Sequence, residues 1–432
     1  MANTTMTDLA NAVIPAPRTE FTDAALDAFS RRLGEDPAGA AWRRAAAAVN
    51  RTIGFPDRVR HLWRYTDPAD LLPGRALLQA TESPERTELP ATPAVLLRPG
   101  HEPLVNAAAA AVGVTAEALF GEADHAQLVG RAVAADHGYF ESLNAAAFDA
   151  GVVVRVPRDH VAAAPLRLVI AAVPGRDVLP RVLVAVGAGA SVTVVEDHLG
   201  GGAGAVVVGV TEILVGANAD VHHVLVQRWE DGTVGHLTVR ARIERDGRYL
   251  GASAGFGGDV AKFDLGAILA GEGARSELVG VTLPDRRQHL DHHTMHRHLS
   301  GHTWSNIDFK AAVAGRARSS YTGLLRIEKD APGSEAYQEN RNLLLSEKAR
   351  ADTIPELEIL TDDVSCSHGA TAAPLDPEQL FYLQSRGIPA DESLRLVVRG
   401  FVELTLRQVP EGLRADLEAL VDARLERLVG ER

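Results

Sequence analysis

Short runs of apolar and β-branched residues dominate the middle of the chain. The first of them are residues 152–156, 166–170 and 182–186, each bounded by Pro or Gly. Runs of this kind are typical of strands. Similar runs follow without a long helical pattern between them, which argues against an α/β fold. The pattern therefore predicts a mainly β protein whose β body begins near Gly151.

An internal repeat indicates how these strands are arranged. Residues 187–192 (GAGASV) resemble residues 216–221 (GANADV), 29 positions later, and each segment precedes a strand of similar composition. Weaker turn-like echoes recur near Asp246, Gly271 and Gly301. A repeat of this length with several strands per unit is typical of a β-solenoid, in which each coil covers the previous one. The repeat favours a solenoid, and a β-sandwich with ordinary hairpins is the alternative.

Helical patterns precede the β body. Residues 21–72 are rich in helix formers and are predicted to be helical. Two further helices are predicted over residues 115–120 and 139–148, and a loop rich in Pro, Glu and Thr is predicted over residues 81–103. These segments predict an N-terminal region built mainly from helices.

The helical period returns after residue 373. Asp376 is a suitable N-cap residue, Pro377 follows at the first helical position, and Gly387 is a natural stop. Two more helices follow, with apolar residues at helical spacing. The predicted organisation is an N-terminal helical region (1–135), a β core domain (136–372) and a C-terminal helical region (373–432).

Composition and charge exclude several classes of protein. The formal net charge of −13 argues against a protein that follows nucleic-acid phosphates. One cysteine, Cys366, permits neither an intramolecular disulfide nor a self-contained zinc ribbon or iron–sulfur site. The phosphate-binding pattern GxxxxGK[ST] is absent, so we expect this chain to bind no nucleotide. Neither a signal peptide nor a membrane span is visible, which predicts a cytoplasmic protein.

Six of the 16 histidines lie between positions 289 and 302. On a strand, His292, His296 and His298 would share one face, because alternate residues point the same way. Such a face could bind iron, zinc or manganese in a metal-dependent β-fold enzyme. The alternative is a hydrogen-bonded polar ladder inside the β body. The ladder is favoured, because no glutamate completes a ligand set nearby in sequence.

The segment CSHGAT, residues 366–371, is the most suggestive chemically. If it is extended, Cys366 and His368 share a face, and both could contact one metal or sulfur atom. A buried thiol beside a structural histidine in a tight turn is an equally weighted alternative.

The GxSxG pattern at residues 251–255 is accidental, because Gly257 and Gly258 follow where a nucleophile elbow needs a helix.

Several sequence blocks together carry a family resemblance that extends over nearly the whole chain. The blocks are WRYT (63–66), LNA (143–145), FGG (256–258), LAGEGA (269–274), the histidine-rich segment (289–302), YQ (337–338), NLLLS (342–346), IPELEI (354–359), DDV (362–364), CSHGAT (366–371) and LFYLQSRG (380–387). In these blocks the chain resembles SufD, within the SufB/SufD family of the SUF iron–sulfur cluster assembly machinery. The SufB branch would carry a scaffold cysteine in the strand region before CSHGAT, where this chain has Gln338 and Asn340.

The resemblance implies a fold and a role. The implied fold is a right-handed parallel β-helix between helical regions, and the implied role is that of a non-enzymatic scaffold in a complex with SufB and the ABC-type ATPase SufC. His368, with Cys366 as a second candidate, would face SufB and help to hold a transient iron–sulfur cluster or its iron. A flavin on the complex and a homodimer of the isolated chain are also compatible with the resemblance. The residues implied in SufC docking are Asp376, Leu380, Phe381, Tyr382, Arg386 and Gly387.

Overall fold

The computed structural model describes residues 21–58, 61–74, 77–78, 89–120 and 125–430. The segment on which the signal-peptide prediction depends, and residues 81–88 of the predicted loop, lie outside the described residues. The helices are α1 (Asp23–Arg32), α2 (Pro37–Thr52), α3 (Ala107–Ala110), α4 (Tyr139–Ala147), α5 (Pro377–Ser385), α6 (Ala390–Leu406) and α7 (Glu411–Gly430), with 3₁₀ helices at His61–Trp63, Pro68–Leu71 and His125–Gln127. No described helix has the length and apolarity needed to cross a membrane.

The strands make up most of the described chain between residues 94 and 374. They are β1 (Ala94–Leu97), β2 (Leu104–Val105), β3 (Thr115–Ala118), β4 (Ala150–Val156), β5 (Leu166–Ala172), β6 (Asp177–Val178), β7 (Pro180–Val186), β8 (Ser191–Gly201), β9 (Ala205–Val215), β10 (Asp220–Glu230), β11 (Thr233–Ile243), β12 (Arg248–Gly255), β13 (Val260–Leu269), β14 (Arg275–Thr282), β15 (His289–His298), β16 (Trp304–Val313), β17 (Arg318–Ile327), β18 (Ser334–Leu344), β19 (Arg350–Ile359) and β20 (Val364–Pro374).

Two sheets stack these strands into a parallel β-solenoid of about eight turns. Sheet A has the order β2-β1-β5-β8-β10-β12-β14-β16-β18-β20, and sheet B has the order β19-β17-β15-β13-β11-β9-β7-β4-β3, with β6 beside β9. Each regular turn contributes one strand to each sheet. Ser191 pairs with Asp220, and this register is the 29-residue repeat seen in the sequence. The predicted solenoid is confirmed.

One corner of the solenoid explains the weaker echoes. Its stacked residues have positive φ, and each donates its N–H to the turn above: Gly189 to Ala217 O, Asn218 to Arg245 O, Asp246 to Glu272 O, Gly273 to Gly301 O, His302 to Pro332 O and Gly333 to Asp363 O. Gly, Asn and Asp adopt this left-handed conformation most readily, so they recur at the interval of the repeat. The corner therefore fixes the turn length through local backbone preference.

Helices cover both outer faces of the solenoid. The N-terminal helices pack their apolar side chains on sheet B, where Val153, Leu183 and Val208 belong to the same buried cluster as Phe140. Helices α6 and α7 pack on sheet A through a second buried cluster. The helix at Tyr139–Ala147 and the three C-terminal helices confirm the sequence predictions, and Asp376 caps α5 by accepting the N–H of Glu378. The helical prediction over residues 21–72 is confirmed only as far as Thr52, because the described residues beyond it form loops and short 3₁₀ helices.

Two N-terminal predictions are wrong. The helix predicted over 115–120 is strand β3, which pairs antiparallel with β4, since the free edge of β4 overrides the helix preference of a short Ala- and Glu-containing segment. The predicted loop over 81–103 contains β1, which is fully buried beside β5. Strands thus extend into the region predicted to be mainly helical, and they close this end of the solenoid.

Candidate functional site

The histidine-rich segment is strand β15, and its alternate side chains point into the solenoid. His296 stands in an interior column of sheet B between Ala267 and Leu325. The ring of His292 stacks on Phe263 at 4.5 Å, with the two planes 8° apart. His298 shares this inward face. The predicted sharing of one face by His292, His296 and His298 is confirmed.

Each of these three imidazoles has its own partners. His296 Nε2 lies 3.1 Å from Ser276 Oγ, whereas His298 lies 2.7 Å from Thr303 Oγ1 and 2.9 Å from Ser305 Oγ. Desolvation by burial lowers the pKa of His292 and His298 to about 4, and it also lowers the pKa of His296 well below its ordinary value. Neutral rings with separate partners, two hydrogen-bonded and one stacked, support the ladder interpretation rather than a shared metal site.

The opposite face of β15 binds the N-terminal region. His289 Nε2 lies 2.9 Å from Thr66 Oγ1, and Thr66 also donates to the buried Asp291. Lys262 forms a buried ion pair with Asp291 at 2.9 Å. Thr66 belongs to the WRYT block, so this block anchors the N-terminal region to sheet B. Sequence reasoning had noted both segments without predicting their contact.

Cys366 and His368 lie on β20, the last strand of sheet A. Cys366 pairs with Ala336 and His368 pairs with Gln338, so both continue columns of inward-pointing side chains. Cys366 is half-buried and packs on the interior core, and His368 is exposed. Desolvation raises the pKa of the Cys366 thiol, and a backbone hydrogen bond at Ala336 opposes that shift. The structure confirms that the two residues share a face on an extended strand.

The last turn leaves its interior face and its edges uncovered. No residue of β19 or β20 is fully buried, and neither strand has a neighbour on its outer edge among the described residues. Pro355 and Pro374 occupy positions whose backbone nitrogen points outwards, since Leu360 and Leu375 donate inwards and directions alternate along a strand. Proline at such positions is typical of edge strands. We call this end, formed by β19 and β20, the open end.

Helix α5 follows the open end and is largely exposed, with only Leu380 and Leu383 half-buried. No residue of α5 is buried; Phe381 is 73% exposed and Tyr382 is 59% exposed. The guanidinium of Arg386 lies 5.3 Å from the centroid of the Tyr382 ring. Gly387 ends the helix with a φ of +87°. The residues predicted to dock an ATPase therefore all lie on α5 or at its two ends, and we call the exposed side of this helix the α5 surface.

Comparison with known proteins assigns a family to this architecture. The family model described as "SUF system FeS cluster assembly, SufBD core domain" matches residues 169–401, from β5 to the middle of α6. An iron–sulfur cluster assembly SufBD family protein of Mycobacterium leprae is 34% identical over 221 residues, which cover 51% of this chain and 25% of that protein.

This chain matches a larger share of two other relatives. A SufBD family protein of Mycobacterium tuberculosis is 38% identical over 244 residues, covering 54% of this chain and 60% of that protein. A second Mycobacterium leprae protein is 34% identical over 289 residues, covering 63% of this chain and 72% of that protein. The chain thus spans about a quarter of the first relative and nearly three quarters of the last. The chain belongs to the SufBD family of iron–sulfur cluster assembly proteins.

Proposed function

We propose that this chain is a SufD-type scaffold subunit without enzymatic activity of its own. In this proposal it pairs with a SufB-like paralogue through the open end and binds a SufC-like ABC ATPase on the α5 surface. Family membership supports a role in iron–sulfur cluster assembly. The occurrence of two different SufBD family proteins in Mycobacterium leprae supports a pairing of paralogues.

The observation that carries the proposal is the chemistry of the open end. Cys366 and His368 terminate two neighbouring interior columns on a turn that no further coil of the described chain covers. Thiolate and neutral imidazole both ligate iron. One cysteine and one histidine are too few ligands to hold a cluster alone, so a partner must supply the others. A second solenoid end that pairs with β19 or β20 would bring its own ligands to the same place.

The cargo in this proposal is a transient iron–sulfur cluster, or iron, shared with the SufB-like partner. The chain itself binds no nucleotide, and ATP is handled by the SufC-like partner. A flavin on the complex and a homodimer of the isolated chain, formed through the open end, complete the proposal. Visible absorbance of the purified complex tests the flavin, and sedimentation of the isolated chain tests the homodimer.

The test of the open end is the His368→Ala variant in the complex assembled under anaerobic conditions. We expect partners to be recovered normally, with iron and acid-labile sulfide per complex reduced several-fold, because a cluster ligand is lost. His222→Ala is the matched control, since His222 is also partly exposed on a sheet A strand but lies away from the open end. Normal cluster loading by His368→Ala would contradict the proposed role.

The test of the α5 surface is the Phe381→Ala/Tyr382→Ala double variant. Both rings are largely exposed, so their removal should leave the fold intact while binding of the SufC-like ATPase falls at least tenfold. Val161→Ala is the control, because Val161 is 69% exposed and lies far from α5 in the chain. Unchanged ATPase binding by the double variant, measured by titration of the purified proteins, would refute docking at this surface.

A further inference from the structure

A cavity of about 550 Å³ lies between the N-terminal region and the outer face of sheet B. Its walls come from residues 52–57, from Trp63, from the start of α4 and from strands β11, β13 and β15. The acidic residues Asp57, Asp136, Glu141 and Asp264 line it, together with the basic residue Lys262 and several histidines. Because Lys262 is already paired with Asp291, the lining favours a cation.

Three potential ligands converge in one wall of this cavity. Donor atoms of His137, Glu141 and Asp264 all lie within 4.8 Å of one another. His137 and Glu141 stand on either side of Gly138 at the start of α4, and Asp264 projects from β13. His137 Nε2 is 2.8 Å from Asp264 Oδ2. Two separate elements therefore present nitrogen and oxygen donors to one point.

Supporting side chains hold both carboxylates in place. Glu141 Oε1 accepts hydrogen bonds from Thr238 Oγ1 at 2.6 Å and from His236 Nε2 at 2.9 Å. Hydrogen bonds of this kind, from groups behind the ligands, orient carboxylates in metal sites. The Oε2 atom of Glu141 lies against Gly138, where a Cβ atom would overlap it. Glycine at position 138 thus leaves room beside the second oxygen of Glu141.

Asp264 is held in the same way. Its Oδ1 atom accepts from Arg240 at 2.8 Å and lies 2.7 Å from His293 Nδ1, and its Oδ2 atom faces His137. Both carboxylates are buried, and Arg240 is the buried guanidinium beside Asp264. One arginine balances one of the two carboxylate charges. The remaining negative charge is stabilised if a cation binds beside it.

We propose that His137, Glu141 and Asp264 bind a divalent transition-metal ion such as Zn²⁺, Mn²⁺ or Fe²⁺. A mixed set of one imidazole and two carboxylates suits these ions, whereas Mg²⁺ prefers oxygen ligands throughout. Three protein ligands leave at least one coordination position open to the cavity, so the ion is exchangeable. Its binding would join α4 to sheet B, and it does not depend on the open end or on the α5 surface.

Isothermal titration of the chelator-treated full chain tests this site with ZnCl₂, MnCl₂ and, under anaerobic conditions, Fe²⁺. We expect one ion per chain and little response to Mg²⁺. His137→Ala should weaken binding at least tenfold, because it removes the only nitrogen ligand. His222→Ala is the control, since its side chain is 31% exposed beside Asp220, compared with 29% for His137 beside Asp264.

Two further variants distinguish this site from other parts of the molecule. Glu141→Gln should also weaken metal binding at least tenfold. If Glu141→Gln fails to fold, His137→Ala still tests the site, because His137 lies outside regular secondary structure. His368→Ala should bind the ion as the wild type does. The proposal is overturned if the wild type binds none of the three ions, if His137→Ala binds with wild-type affinity, or if His368→Ala is the variant that loses the ion.

Discussion

The two ends of the solenoid differ in how their strands are covered. At the first end, β4 and β7 are almost wholly buried, β3 pairs along the free edge of β4, and β2 pairs along β1. At the open end, β19 and β20 contain no fully buried residue. Even large apolar side chains remain exposed there, since Ile359 is 40% exposed and Leu360 is 44% exposed. Exposed apolar edge strands are a liability unless something pairs with them. The contrast supports the proposal that the open end pairs with a partner strand.

The largest expected difference in stability is between a buried ion pair at the first end and an exposed ion pair at the open end. Arg181 and Glu212 are both almost completely buried and lie 2.6 Å apart, and Glu212 also accepts three backbone N–H groups from residues 130–133. Glu212→Ala leaves the buried guanidinium of Arg181 without its carboxylate partner, so we expect a loss of about 3–5 kcal/mol in the free energy of unfolding.

The open end offers the matched control for that change. Arg326 and Glu358 also form an ion pair, at 2.7 Å, but their side chains are 37% and 50% exposed. Glu358→Ala should therefore cost less than about 1 kcal/mol. Urea denaturation of both variants measures the difference. Equal losses would mean that the two ends do not differ in burial as described.

His292, which is sealed inside the solenoid between the two ends, predicts a pH dependence of stability of about 3 kcal/mol. Burial lowers the pKa of His292 to about 4 from an ordinary 6.5, so the unfolded chain binds more protons between those values. The contribution of His292 to stability is therefore present above pH 6.5 and lost as the pH falls towards 4. At 1.36 kcal/mol per pKa unit, the loss approaches roughly 3 kcal/mol at pH 4.

The His292→Phe variant isolates this contribution, because its ring can still stack on Phe263 but cannot titrate. The difference between wild type and variant in the free energy of unfolding, measured from pH 7 to pH 4, should fall by about the predicted amount. Taking the difference removes the contribution of Asp149, whose pKa burial raises to about 7 and whose effect has the opposite sign. A difference that does not change with pH would show that His292 titrates normally.

Two neighbouring positions on β20 separate folding from partner binding. Backbone directions alternate along the strand, so the N–H of Thr371 points towards β18 and that of Ala370 points outwards. Thr371→Pro should cost about 2 kcal/mol, because a carbonyl of β18 loses its donor. Ala370→Pro should cost less but should prevent pairing with a partner strand. Thermal unfolding and partner titration test both, and similar behaviour of the two variants would contradict an edge interface.

Features that repeat along the chain could be predicted from the sequence, whereas contacts that form only when separate elements pack together could not. The 29-residue echo was visible because residues of similar type occupy the same corner in each turn. The shared face of Cys366 and His368 also followed from local periodicity. In contrast, His137 and Asp264 are 127 positions apart, and only the packing of α4 on sheet B brings them together. Strand β3 was mispredicted because an available edge, which no local pattern reports, outweighed its helix formers.

The smallest expected effect concerns the thiol at the open end. Burial raises the pKa of Cys366, so the folded chain holds less thiolate than an unfolded one at a given pH. Because the thiolate is the nucleophile, iodoacetamide should alkylate Cys366 several-fold more slowly in the native chain than in urea, as followed by mass spectrometry. Faster alkylation of the native chain would instead reveal an activated thiolate. Slow alkylation would show that Cys366 is protonated in the isolated chain, so any metal ion that binds there must displace the thiol proton.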